Sequence, residues 1–133
     1  MTIIEQLLQV DKGKTEELKT KKIKSKRLSQ FLGKDTEVTI RQIPGRRMND
    51  INQVIFDENG NKDMEKAYDL NILYCTEGIV EPSMKSEDLM KHFGAATPDD
   101  LAEKLFDAEA ATIAAEIIKL SGLSDGAEKK AKN

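Results

Sequence analysis

Apolar positions recur along this chain with two different periods, and the change of period marks out the elements. Thr2 and Glu5 stand in the spacing of a capping box, and Ile3, Ile4, Leu7 and Leu8 then fall on one helical face. Asp11, Lys12 and Gly13 stop this run, so residues 1–13 form an amphipathic helical arm, free to dock on its own domain or on a partner. KKIKSKRL (21–28) alternates weakly, and the following FLGKDT supplies a turn around Gly33. EVTIRQIP is clearer, with Val38 and Ile40 set against Glu37, Thr39 and Arg41 and ended by Pro44. The pattern predicts an antiparallel pair, 21–28 with 36–43, interrupted by one helical turn at 27–32. A helix from Thr15 to Leu32 is the competing reading, but its apolar positions Leu18, Ile23 and Leu28 are spaced five apart.

From residue 46 onward the period is helical. RRMNDINQVIF places Met48, Ile51, Val54 and Ile55 on one side, and DENGNKD makes a polar turn. Residues 63–80 repeat Met64, Tyr68, Ile72, Cys75 and Ile79 at helical spacing. Leu70, Leu73 and Val80 make this segment apolar on more than one face, which predicts a central helix closed by Pro82. Ser86 can cap a short helix with Glu87 and Asp88 in its first turn and Gly94 just past its end. Thr97-Pro98-Asp99-Asp100 is a strong helix start, and the periodicity of Phe106, Ala110, Ile113, Ile117 and Leu120 carries one helix to Leu120, with Gly122 as its stop. Ala108, Ala111, Ala114 and Ala115 would let a second helix approach closely. The expected fold is therefore α+β, mostly α: a short N-terminal helix, a small antiparallel β pair in the first third, then a bundle of about four helices. Residues 14–122 read as one globular domain and residues 123–133 as a disordered polar tail.

Composition adds that large anchors are scarce. The chain has no Trp and only 5% aromatic residues, so its core must come from Ile, Leu, Val, Met and Ala. A single Cys permits no internal disulfide, the N-terminus lacks a basic segment followed by a long apolar one, and no run approaches a membrane span. A cytoplasmic protein is the natural expectation. The net charge of −3 hides an asymmetry: residues 12–47 carry twelve Lys/Arg against four Asp/Glu, a balance of +8, whereas residues 48–133 balance at −9. Such an arrangement suits either a polyanion-binding arm or two surfaces for different partners.

Reactive chemistry finds little purchase. Cys75 lies on an apolar helical face, and His92 lies on a different helix beside Phe93, so a thiolate–imidazole pair is not indicated. One Cys and one His do not make a metal site. DENGNKD fails as a calcium loop: counted from Asp57, its sixth position is Lys62 and its twelfth Tyr68, where Gly and Glu are required. No phosphate-cradling or dinucleotide motif occurs, and the paired acids Glu87/Asp88 and Asp99/Asp100 sit where helix dipoles favour them. No cofactor is expected. The basic segment Lys19–Arg27, with Arg46 and Arg47, admits a nucleic-acid reading. It lacks interleaved aromatics, and lysines protecting an edge strand or meeting an acidic protein explain it as well.

The order of segments carries more. IIEQLLQVD precedes KRLSQFLGKDTEVTIRQI, then MNDINQV, then ILYCTEGIVEPSMKSEDLMKHFGAATPDDLAEKLF and an Ala/Ile-rich final helix ending in LSG. Over residues 2–122 this resembles the XkdN-like tail assembly chaperones of contractile-tailed phages and prophages of Gram-positive bacteria. The most specific portion is EGIVEPSMKSEDLMKHFGAATPDDLAEKL. The family often has a Gly-Glu-Ile turn entering the last helix; here Ala108 and Glu109 take the places of its Gly and Glu. The resemblance implies a non-enzymatic role in the host cytoplasm, binding the tape measure protein, keeping it soluble and helping to recruit tail tube protein, without persisting in the virion. Self-association is compatible with it. The surfaces expected to meet partners are the N-terminal helix (Ile3, Ile4, Leu7, Leu8), the basic strand region (Lys22, Lys24, Lys26, Arg27) and the last helix (Phe106, Ile113, Ile117).

Overall fold

Four hydroxyl side chains start the helices. Thr2, Ser25, Ser86 and Thr97 each sit in extended backbone and accept a hydrogen bond from the amide three residues on, satisfying a donor that the first helical turn leaves orphaned. The computed structural model describes residues 1–122, and the expected tail at 123–133 lies outside them. The helices are α1 (Ile3–Leu8), α2 (Lys26–Leu32), α3 (Gly45–Asn52), α4 (Ala67–Gly78), α5 (Glu87–Phe93), α6 (Pro98–Phe106) and α7 (Ala110–Leu120). The strands are β1 (Thr20–Lys24), β2 (Glu37–Arg41) and β3 (Ile79–Glu81). The fold is α+β, mostly α.

The β pair gains a third member. β1 runs antiparallel to β2 with Ile23 opposite Val38 and Lys21 opposite Ile40, and β3 adds antiparallel to the far side of β2. β1 is shorter than expected: it ends at Lys24, and Ser25 starts α2 where the pattern predicted at most one helical turn. A helix over 15–32 is excluded by the strand at its centre. β3 overturns the helix expected to run to residue 80. α4 stops at Gly78 because Ile79 and Val80, both β-branched, take extended backbone, and Pro82 follows as a cis peptide after Glu81. Arg41 satisfies the end of α4 by donating from Nε to the Glu77 carbonyl at 2.9 Å.

The long helix expected from Pro98 to Leu120 is broken. Asp107 has φ +48°, and a 3-10 turn over Asp107–Glu109 separates α6 from α7, so the two helices pack on α4 with independently oriented faces. α4 is central as predicted. Gly78 shows how close α7 comes: a Cβ there would lie 2.5 Å from Ile117 Cδ1, nearer than packed atoms tolerate. Ala110 and Ala114 are the small residues on the buried face of α7, whereas Ala108, Ala111 and Ala115 face outward. One hydrophobic cluster joins Val38 and Ile40 of the sheet to Met48, Ile51, Tyr74, Cys75, Met84, Leu101, Phe106, Ile113 and Ile117. Tyr74 brings its hydroxyl into this cluster by donating to Asn52 Oδ1 at 2.6 Å.

Candidate partner-binding surface

α1 is short but well made. Thr2 Oγ1 accepts from the Glu5 amide at 3.1 Å and meets Glu5 Oε1 at 3.0 Å, and Asp11 then accepts from the Gly13 amide to turn the chain away. Having no buried residue, the helix presents Ile3, Ile4, Leu7 and Leu8 to solvent at 63–80% exposure, with Met1 and Val10 beside them. Isolated six-residue helices have little stability of their own, and among the described residues no element covers this apolar face. The structure therefore brings together all four residues expected on the arm.

The basic segment divides. Lys22 and Lys24 stand on the outer face of β1 with Thr20, where alternation puts them opposite Thr39, Glu37 and Arg41 of β2. Lys21, on the other face, reaches Glu116 of α7 at 3.2 Å, and Lys24 meets Asp35 at 3.0 Å. Arg27 is committed to the fold. Its Nε donates to the Leu105 carbonyl and its Nη2 to the Lys104 carbonyl, both at 3.0 Å, closing the C-terminal turn of α6, while its guanidinium lies 5.0 Å above the Phe31 ring. The Lys26 side chain is exposed, but its amide donates to Glu109 Oε2 at 2.6 Å, and the other oxygen of that carboxylate accepts from Ser25 Oγ at 2.6 Å. Glu109 thus caps α2 from across the molecule, at the start of the last helix where the family's Glu was expected. Arg47 is taken up likewise by Glu77, at 2.6 Å.

The third expected surface is a correction. Phe106 and Ile117 are fully buried and Ile113 is 1% exposed, so a partner meeting the folded domain touches none of them. Their periodicity is that of a core face turned toward α4. Sequence reading passed over Phe31 and Leu32, which stand 54% and 59% exposed at the end of α2; their place before Gly33 is the signal that a helix terminus presents them.

No reactive pair forms. Cys75 is fully buried, and its thiol is pushed up to about 12, chiefly by burial and then by the Glu109 charge, so it stays protonated beside the Ala110 carbonyl. His92 faces solvent on α5 with its ring edge against Phe93. Asp57 Oδ1 accepts from the Asn59 and Asn61 amides, which makes DENGNKD a hairpin tip closed by a Phe56–Lys62 bridge. Among the described residues no three His, Cys, Asp or Glu side chains cluster as metal ligands, and no helix is long and apolar enough to cross a membrane.

Comparison with known proteins completes the picture. The profile of the family described as phage XkdN-like tail assembly chaperone protein, TAC, matches residues 4–133. No curated protein matches the chain. Among solved structures, the crystal structure of the protein YqbN is similar, with a TM-score of 0.57 and 15% sequence identity over 79% of this chain and 87% of that one. At that identity the likeness is one of fold.

Proposed function

The chain belongs to the XkdN-like phage tail assembly chaperone family, and on that premise we propose that it works by reversible binding of the tape measure protein through the apolar face of α1. The supporting observation is the set of uncovered side chains on that helix, Ile3, Ile4, Leu7 and Leu8, on a chain whose other Ile and Leu residues are mostly drawn into the core. A tape measure protein is long, helical and prone to aggregate, and an amphipathic helix offers such a chain a matching apolar stripe. Few side chains take part, so each contact is weak and exchangeable, which suits a chaperone that must let its client go. Solubilising the client in the host cytoplasm, and presenting it to tail tube protein, follow from the same reversible contact. No catalytic step is involved.

The test is co-expression with the neighbouring tape measure protein followed by pull-down. The wild-type chain is expected to hold the tape measure protein in the soluble fraction and to co-purify with it; an Ile4→Glu/Leu7→Glu variant, folded normally, is expected to lose both effects. If the tape measure protein stays insoluble with the wild-type chain and nothing co-purifies, the mechanism fails.

A further inference from the structure

We propose that the free edge of β1 is a second docking surface, which takes an extended, acidic segment of another protein as an added antiparallel or parallel strand. β1 is the terminal strand of the sheet. The ladder bonds that flank it, from the Ser25 amide to the Thr36 carbonyl and from the Gln42 amide to the Lys19 carbonyl, fix which residues face β2. By the two-residue period, the backbone groups of Lys21 and Ile23 point into the sheet and those of Thr20, Lys22 and Lys24 point away from it. No other element of the described residues pairs with that edge, and the strand is exposed along its length apart from half-buried Ile23.

Edge strands are ordinarily protected by proline, a bulge, a cover or charge. β1 contains no proline, its register with β2 is continuous, and the one register shift in the sheet lies on the far side, between β2 and β3. Charge is therefore the barrier here, and charge is the one form of protection that an oppositely charged strand turns into attraction. A second copy of β1 is refused, because pairing it edge to edge sets lysines against lysines. The fitting partner alternates carboxylates with apolar residues. Its acids would lie beside Thr20, Lys22 and Lys24 on the outer face, and an apolar residue beside Ile23. Lys22 pairs with no carboxylate among the described residues, and the Lys24–Asp35 pair is solvent-exposed on both sides and readily exchanged. This surface is independent of α1, so the two readings stand or fall separately.

The probe is a synthetic peptide alternating Glu with Val, offered at low salt to the full chain and to an Ile4→Glu/Leu7→Glu chain, with amide hydrogen exchange read residue by residue. Binding with new protection at Thr20, Lys22 and Lys24, unchanged by the α1 substitutions and weakened as salt rises, is the expected result. Lys22→Pro and Lys22→Ala separate strand addition from simple attraction. Both remove the same charge, but only proline also removes an outward amide, without touching the ladder to β2. Proline is expected to weaken binding about five- to tenfold beyond alanine. Equal affinities for the two variants, binding without protection of those amides, equal binding of a polyglutamate or a DNA oligonucleotide, or no binding at all would each overturn the proposal.

Discussion

α1 and α7 are written in nearly the same hydrophobic code and meet opposite fates. IIEQLL and AATIAAEIIKL both place Ile and Leu at helical spacing on one face, yet α1 has no buried residue while α7 buries Ala110, Ile113, Ala114 and Ile117. The difference lies in the partner. α7 lies against α4 at Gly78, where the missing side chain lets Ile117 seat directly on the α4 backbone, and small Ala110 and Ala114 allow close approach. α1 is followed by Asp11–Glu17, an exposed turn that leads it away from the core. An amphipathic stripe states that a helix needs a cover; it does not say whether the cover is in the same molecule.

The contrast is broken most severely from the α7 side. Ile117→Ala leaves a cavity against Gly78 and is expected to destabilise the fold by about 2–5 kcal/mol. Gly78→Ala attacks the same contact by overfilling, at about 1–3 kcal/mol. Combining the two should recover part of the loss, because the new methyl group enters the space that Ile117 vacates. Urea denaturation of both singles and the double checks this; strict additivity would show that the two residues do not share one contact.

Next in size is the tie between the two halves of the chain. Glu109→Gln keeps the shape but removes the charge that the Lys26 amide and the Ser25 hydroxyl now meet at 2.6 Å, and turns one of the two accepting oxygens into an NH2 group. A loss of about 1–3 kcal/mol is expected, read as a lower urea midpoint at unchanged slope. A neutral outcome would mean that water caps α2 equally well.

How much of this was legible depends on whether the signal was local. Thr2, Ser86 and Thr97 announced three helix starts correctly, because a cap is written within four residues. β2 was legible from clean alternation. β3 was hidden because Ile72, Cys75 and Ile79 continue the helical spacing past the point where the backbone extends. The break between α6 and α7 was hidden for a similar reason: DAEA contains no Gly or Pro to announce a turn. The residue that takes the positive φ is Asp107. Arg27 was read as a surface cation, but its role depends on carbonyls 77 and 78 positions away in sequence. Of the arm, everything was legible except its isolation.

Asp107 offers a smaller, stabilising test of the turn that separates α6 from α7. Its φ of +48° is uncomfortable for a residue with a Cβ, and glycine should relieve it. Against that gain stand glycine's greater freedom when unfolded and the loss of the 3.0 Å bond from the Tyr68 hydroxyl to Asp107 Oδ1. A net stabilisation of about 1 kcal/mol is expected for Asp107→Gly, with Asp107→Ala destabilising by about 0.5–1 kcal/mol, since alanine loses the bond and keeps the strain. Thermal melts of the pair measure it, and the same sign for both substitutions would show that backbone strain is not what Asp107 contributes.

The smallest expected change in stability is the most telling for the comparison. Ile4→Glu/Leu7→Glu places two carboxylates on the apolar face of α1, where no neighbouring element covers them, so the melting transition should move by no more than about 0.5 kcal/mol in stability. The equivalent change at Ile113 and Ile117 of α7 would bury two unpaired charges and prevent folding. If the α1 variant instead melts several degrees lower, the arm is folded onto its own domain in solution, and α1 and α7 differ only in degree. If its stability is unchanged while co-purification of the tape measure protein is lost, the hydrophobic face of α1 serves binding and that of α7 serves the core, from one and the same sequence pattern.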